Sequence, residues 1–197
     1  MHAKTLFAPL AAVAALAIYL APHSESQADV HSYKIDAVHS AVVFKINHLG
    51  VSNTWGRFNK MSGDLKFADG GKGAEISIAV EAGSVDTNSA ARDKHLKNPD
   101  FFSAGEFSSI SFKSKSWTKT GDNSYAVKGD MTLHGKTNEI TIKVTKVGQG
   151  DRGQRFGYRI GFDGEVTIKR STFGMTKMLQ FVGDDVKLFI SIEAQRQ

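Results

Sequence analysis

The sequence predicts an all-β fold. Three observations lead to it. Apolar residues recur at every second position in eight separate runs. Each run carries a polar face opposite its apolar one, as antiparallel strands do when one side is buried. Turn signals stand between runs, at Asp69-Gly70-Gly71, Gly121-Asp122-Asn123, Gly150-Asp151 and Gly183-Asp184-Asp185.

The runs follow in order. In 40–48, Val42, Phe44 and Ile46 share a face against Lys45 and Asn47. In 63–67, Leu65 and Phe67 alternate with Asp64 and Lys66. In 75–81, Ile76, Ile78 and Val80 oppose Glu75, Ser77 and Glu81. In 108–116, Ile110 and Phe112 oppose Ser111 and Lys113. In 125–133, Tyr125, Val127, Met131 and Leu133 alternate with Lys128, Asp130 and Thr132. In 139–145, Ile140, Ile142 and Val144 oppose Thr141, Lys143 and Thr145. In 156–168, Phe156, Tyr158, Ile160, Phe162, Val166 and Ile168 share a face with Gly164. In 186–194, Val186, Leu188, Ile190, Ile192 and Ala194 oppose Lys187, Ser191 and Glu193.

Residues 84–102 break the rhythm. Asp86, Thr87 or Asn88 can cap a helix, and Pro99 ends one. The predicted helix core, Ala90 to Lys97, holds only Ala90, Ala91 and Leu96 as apolar residues, so it reads as a polar flap. Eight strands fit either a closed barrel or a two-sheet sandwich. The length of the seventh run favours a barrel, with Gly161 and Gly164 to bend it.

Residues 1–28 read as a signal peptide. Lys4 precedes an apolar run, Leu6–Ala21, and Ser26 and Ala28 offer small residues two apart for cleavage. The run is short against the ~20 residues a membrane span needs; a retained anchor is the competing reading. Cleavage leaves a domain of residues 29–197 and removes one lysine and one glutamate, so the net charge stays at +5. No other segment is apolar enough to span a bilayer. The chain has no cysteine, which excludes disulfides, thiol catalysis and cysteine-ligated metals, and suits a periplasmic location.

Catalytic and metal patterns are weak. The mature chain's histidines, His31, His39, His48, His95 and His134, show no ligand pair at close spacing. Asp36, His39 and Ser40 lie too close in sequence for a triad, whose members converge from separate elements. Gly70-Gly71-Lys72-Gly73 precedes a strand rather than a helix, so it cradles no phosphate. Lys113, Lys115 and Lys119 alternate along one solvated face, so the basic stretch around Trp117 argues for no nucleic acid. No catalytic residue, metal or cofactor is assigned. The apolar bulk is the remaining feature, with 13 Phe, 2 Trp and 4 Tyr. An eight-stranded barrel either fills with side chains or encloses one small ligand. The expected tail-lining residues are Phe44, Ile78, Phe112, Tyr158, Ile160 and Ile190, with Gly129 leaving room.

Several blocks together resemble the YceI-like family. They are Tyr33-Lys34-Ile35-Asp36; Phe44-Lys45-Ile46-Asn47-His48-Leu49-Gly50; Ser84-Val85-Asp86-Thr87 with Arg92-Asp93-Lys94-His95-Leu96; Gly129-Asp130-Met131-Thr132-Leu133-His134-Gly135; and Arg170-Ser171-Thr172-Phe173-Gly174-Met175. Asn138-Glu139, where the resemblance implies a turn, departs from the Lys-Pro often found there. The resemblance implies an eight-stranded antiparallel lipocalin-like barrel with a short helical segment near residues 86–98. It implies a cavity for an isoprenoid or other long-chain lipid, such as a polyprenyl chain or quinone tail, and no catalytic mechanism. Arg92, His95, Phe101 and Phe102 then become candidates for the mouth, where cations meet a head group. A lipid-modifying or metal- or haem-assisted redox enzyme is the alternative, and a homodimer stays open.

N-terminal sequencing of the exported protein should begin at Asp29. Met1 retained in the membrane fraction would overturn the signal-peptide reading.

Overall fold

The computed structural model describes residues 29–197; the proposed signal peptide lies outside them. The strands are β1 (His31–Ile35), β2 (Ala41–His48), β3 (Ser52–Phe58), β4 (Met61–Phe67), β5 (Glu75–Glu81) and β6 (Val85–Asp86). Helix α1 (Ala90–Leu96) follows, then β7 (Ser109–Lys119), β8 (Ser124–Leu133), β9 (Lys136–Asp151), β10 (Tyr158–Lys169) and β11 (Val182–Arg196).

All pairings are antiparallel and the sheet closes on itself. β11 pairs with β10 along one edge and, along the other, first with β2 and then with β1. β1 and β2 are therefore two halves of one barrel strand, bent at residues 36–40. β3 and β4 are likewise halves, facing β2 and β1 respectively. β6 extends the line of β5 beside β3. Counted by barrel strand, the closed sheet has eight. The eight apolar runs of the sequence each fall on a different one of them.

Several local expectations need correction. Gly150-Asp151 lies at the end of β9, and the turn follows it. Gly183-Asp184-Asp185 lies inside β11, where the register with β2 slips between Val182 and Val186. The helix cap is Ser89, whose hydroxyl accepts from the Arg92 amide, rather than Asp86, Thr87 or Asn88. Asn138-Glu139 lies within β9. The bend expected near Gly161 is a bulge: Gly161 faces Gly148, Phe162 faces Lys146, and Val147 is the extra residue.

Inward residues fill the end of the barrel away from α1. Phe67, Trp117, Tyr125 and Phe162 meet there edge to face, with ring centroids 5.1 to 5.9 Å apart. Ion pairs such as Lys34–Asp64, Lys66–Glu75 and Lys187–Glu165 join neighbouring strands on the wet outer face. Each such exposed pair contributes only ~0–1 kcal/mol.

The bend between β1 and β2 is held by charge. The Asp36 carboxylate accepts from Arg159 Nη1 at 2.7 Å and shares a 3.0 Å hydrogen bond with the His39 ring. Arg159 also reaches Glu193 at 3.2 Å. The Ser40 hydroxyl accepts from the Glu193 amide and donates to the Glu193 carbonyl. That hydroxyl is thus tied to backbone and not to His39, so the three residues are a bend clamp rather than a nucleophilic array.

The bonds from His39 and Arg159 hold the Asp36 carboxyl at about 2, and the same contact raises His39. A lowered carboxylate stabilises the fold above its ordinary value, and that contribution disappears as pH falls toward 2. A raised histidine stabilises below its ordinary value and stops doing so at higher pH. Asp36→Asn should therefore cost most near pH 5 to 6, roughly 2 kcal/mol, and almost nothing near pH 2. Urea unfolding of parent and variant across that range checks it; a constant difference would contradict the assignment.

Candidate functional site

A cavity of about 360 Å³ occupies the α1 end of the barrel. β2 contributes Val42, Phe44 and Ile46, and β11 contributes Val186 and Leu188. Ile110 and Met131 lie toward its floor. Leu96, Phe101 and Phe102 cover it from the α1 side. The polar or charged side chains in the wall are His48, Thr54, Thr87, Arg92, His95 and Arg170, and no carboxylate among the described residues lines it.

The mouth is built from short segments tied at points. Asp93 accepts from both the amide and the hydroxyl of Thr87, at 2.9 and 2.6 Å. Thr87 in turn accepts Arg92 Nε on its hydroxyl oxygen and Arg92 Nη2 on its carbonyl. The guanidinium is thereby aimed while only two of its five N–H donors are used. His95 stands edge-on to Phe101 at 4.9 Å. After the helix, the Phe102 and Ala104 amides return to the Leu96 and Lys97 carbonyls. Phe102 meets Phe58 at 5.4 Å, and Phe58 meets Phe44 at 5.8 Å, so an aromatic row runs from the lid down the wall.

Arg170 has a different task. It is 3% exposed and begins a 3-10 turn, Arg170–Phe173. Its Nε, Nη1 and Nη2 donate to the carbonyls of Gly183, Met175 and Val182 at 2.9, 2.7 and 2.8 Å. Burial pulls its pKa down, and Asp184 opposes that shift. Asp184 accepts from the amide and hydroxyl of Ser171. Burial acts to raise its carboxyl, but those bonds together with Lys169 and Arg170 hold it below its ordinary value.

The four mouth residues read from the sequence, Arg92, His95, Phe101 and Phe102, all border the cavity, as does Phe44. Ile78, Phe112 and Ile190 border a separate space of about 30 Å³ beneath it, roughly one water's share of volume, and apolar. Phe112 pairs in register with Met131, and the two stand between the upper and lower spaces. Ile160 is 1% exposed in the packed core. Tyr158 lies beside Tyr33 at the closed end, with Arg196 over its ring at 5.2 Å. Gly129 leaves room for protein: a Cβ there would come within 2.4 Å of the Lys113 carbonyl and 2.7 Å of Phe112 Cζ. Gly56 similarly accommodates the Phe44 ring.

The sequence reading assigned no cavity role to Thr54, Thr87, Met175, Met178 or Arg170, all of which line it. Arg170 had a legible signal: it falls on the inward phase of the Phe162, Val166 and Ile168 alternation, just before Gly174.

Asp36, His39 and Glu193 bring three ligand-type atoms within 4.8 Å of one another. Arg159 already bridges both carboxylates, so the charge a metal would supply comes from a guanidinium.

Residues 33–194 match the YceI-like domain family. The chain belongs to the YceI-like family. A UPF0312 protein of Pseudomonas aeruginosa (strain LESB58) is 38% identical over 188 residues, covering 94% of this chain and 97% of that one. The crystal structure of Burkholderia cenocepacia BcnA superposes with a TM-score of 0.72 at 26% identity, covering 82% and 99% of the two chains. A Saccharophagus degradans domain described as polyisoprenoid binding shares the fold at 15% identity, with a TM-score of 0.67 and coverage of 85% and 99%. This YceI-like barrel contains no helix, among the described residues, long and apolar enough to cross a membrane.

Arg170→Lys keeps the charge but loses the fork that spans three carbonyls. Leaving a buried acceptor without a donor should cost about 1–3 kcal/mol. Chemical denaturation measures it; unchanged stability would mean that the carbonyls find other donors.

Proposed function

We propose that this YceI-like protein is an exported, periplasmic binding protein that carries a long-chain isoprenoid lipid, such as a polyprenyl chain or quinone tail. The tail lies in the barrel cavity and the head group at the mouth. One observation carries the reading: an apolar cavity of about 360 Å³ whose wall includes Arg92, His95 and His48 but, among the described residues, no carboxylate. The volume falls within the ~300–1,000 Å³ of small-molecule sites. Burying about ten tail carbons is worth ~8 kcal/mol before association costs, enough to hold an amphiphile without catalysis. The polyisoprenoid-binding domain from Saccharophagus degradans lends support as a barrel of the same fold. The signal-like segment 1–28 and the absence of cysteine support export.

Arg92 and His95 recognise the head group in this reading. A hydrogen bond from a charged donor contributes ~1.5–3 kcal/mol. The Arg92→Ala/His95→Ala double variant, with an unchanged melting temperature, should bind an anionic-headed isoprenoid at least ~10-fold more weakly. It should keep its affinity for the corresponding neutral alcohol. Native mass spectrometry with solvent extraction of the purified parent should find a long-chain lipid. Bound metal or haem with no lipid would favour a redox enzyme instead, and equal affinities for both ligands would leave the helix a lid only.

A further inference from the structure

We propose that the open end of the barrel docks on an anionic bilayer surface, so that a ligand passes between bilayer and cavity without crossing water. The inference rests on the carrier reading for its purpose, but its evidence is separate.

Three segments ring the opening: the β2–β3 tip, the loop after α1, and the loop 174–181. They are joined to one another. The Leu49 amide donates to the Phe181 carbonyl at 2.7 Å, and Lys177 pairs with Asp100 at 3.4 Å. Of the ten large apolar side chains that stand exposed among the described residues, five are on this rim: Leu49, Val51, Met178, Leu179 and Phe181. Val51 is 83% exposed at the tip. Met178 is exposed and also lines the cavity, so apolar surface continues from the rim inward. Packing within the barrel does not require this concentration, since none of the five belongs to the buried core.

The charge on the rim selects the surface. Lys94 and Lys97 are exposed and form no ion pair among the described residues, and Arg92 faces the opening. Of the nearby carboxylates, Asp100 pairs with Lys177, while Asp93, Asp184 and Asp86 are tied to Thr87, Ser171, Asn59 and the Asn88 amide and none of the four lines the opening. Exposed apolar side chains among unpaired cations match an interface of anionic head groups over acyl chains. The closed end also exposes Val147 and Phe156, but it leads to the aromatic cluster and not to an opening.

Co-sedimentation with vesicles of phosphatidylcholine containing one-third phosphatidylglycerol tests the docking. The parent should partition to these vesicles, and weakly to pure phosphatidylcholine. Leu179→Ser/Phe181→Ser and Lys94→Glu/Lys97→Glu should each lower partitioning at least ~10-fold, whereas Phe156→Ser should not. Absence of parent binding, rim variants that bind like the parent, or loss with Phe156→Ser alone would overturn the proposal. So would light scattering that finds a parent dimer abolished by Leu179→Ser/Phe181→Ser, because the rim would then join two copies of this chain. Solvent extraction of the same preparations separates the two readings. A protein that holds lipid but ignores vesicles loses only the docking; one that docks but never holds lipid loses only the carrier function.

Discussion

The edge-to-face cluster of Phe67, Trp117, Tyr125 and Phe162 is the constraint on which the barrel depends. These rings come from β4, β7, β8 and β10, so they tie strands on opposite sides of the axis. Aromatic contacts of this geometry add ~0.5–1.5 kcal/mol each beyond burial. Their larger effect is spatial. An eight-stranded barrel is wide enough either to pack solid or to hold one ligand, and along its axis this chain packs solid at one end and leaves a cavity at the other. Because the cluster fills one end, the cavity has a floor. Phe112 and Met131 then mark the level at which packing gives way to open space.

The mouth cannot be held by the same means. Beyond the sheet, the chain has few ladder hydrogen bonds, and its stability comes from point contacts. Arg170 gathers three carbonyls from two segments. Thr87 links Asp93 to Arg92 across the start of α1. Segments secured at points open at lower free energy than paired strands. The charged residues around the mouth therefore have two separable duties. Arg170 is fully engaged with backbone and shapes the rim, whereas Arg92 is oriented by Thr87 and, in the carrier reading, keeps donors for a head group.

The sequence disclosed the number of barrel strands because inward apolar residues must alternate, and each of the eight runs does so on a different barrel strand. It concealed β3 for a physical reason. The inward positions of β3 are Thr54, Gly56 and Phe58, while Trp55 faces out, stacked on Phe189 and under Lys45. The glycine is there because Phe44 occupies the room its Cβ would take, so the usual alternation is erased at one position by packing at another. The same effect governs Gly129, which reads as vacant space until Phe112 is seen to fill it. Single-strand periodicity tells which residues point inward. It does not tell how far along the axis they lie, so Ile160 and Tyr158 read the same as Phe44 although they sit near the closed end. The 84–102 segment was more legible, because a polar helix with a proline stop and two phenylalanines has no ready role in a barrel wall.

The axial order of packing also bears on how an amphiphile would sit. In the carrier reading, a tail directed inward meets Val42, Ile46, Leu188, Ile110 and Met131, all apolar. A head group directed inward would meet the same side chains and find no hydrogen-bond partner. Burying an unpaired polar group costs roughly 2–7 kcal/mol, and an ionised one far more. At the mouth the head group instead meets Arg92 and the two histidines, with Asp93 already committed to Thr87 and absent from the wall. Orientation thus needs no dedicated gate. The aromatic floor, the apolar wall and a mouth where Arg92 is present and, among the described residues, no carboxylate lines the wall make one direction of entry far more favourable than the other.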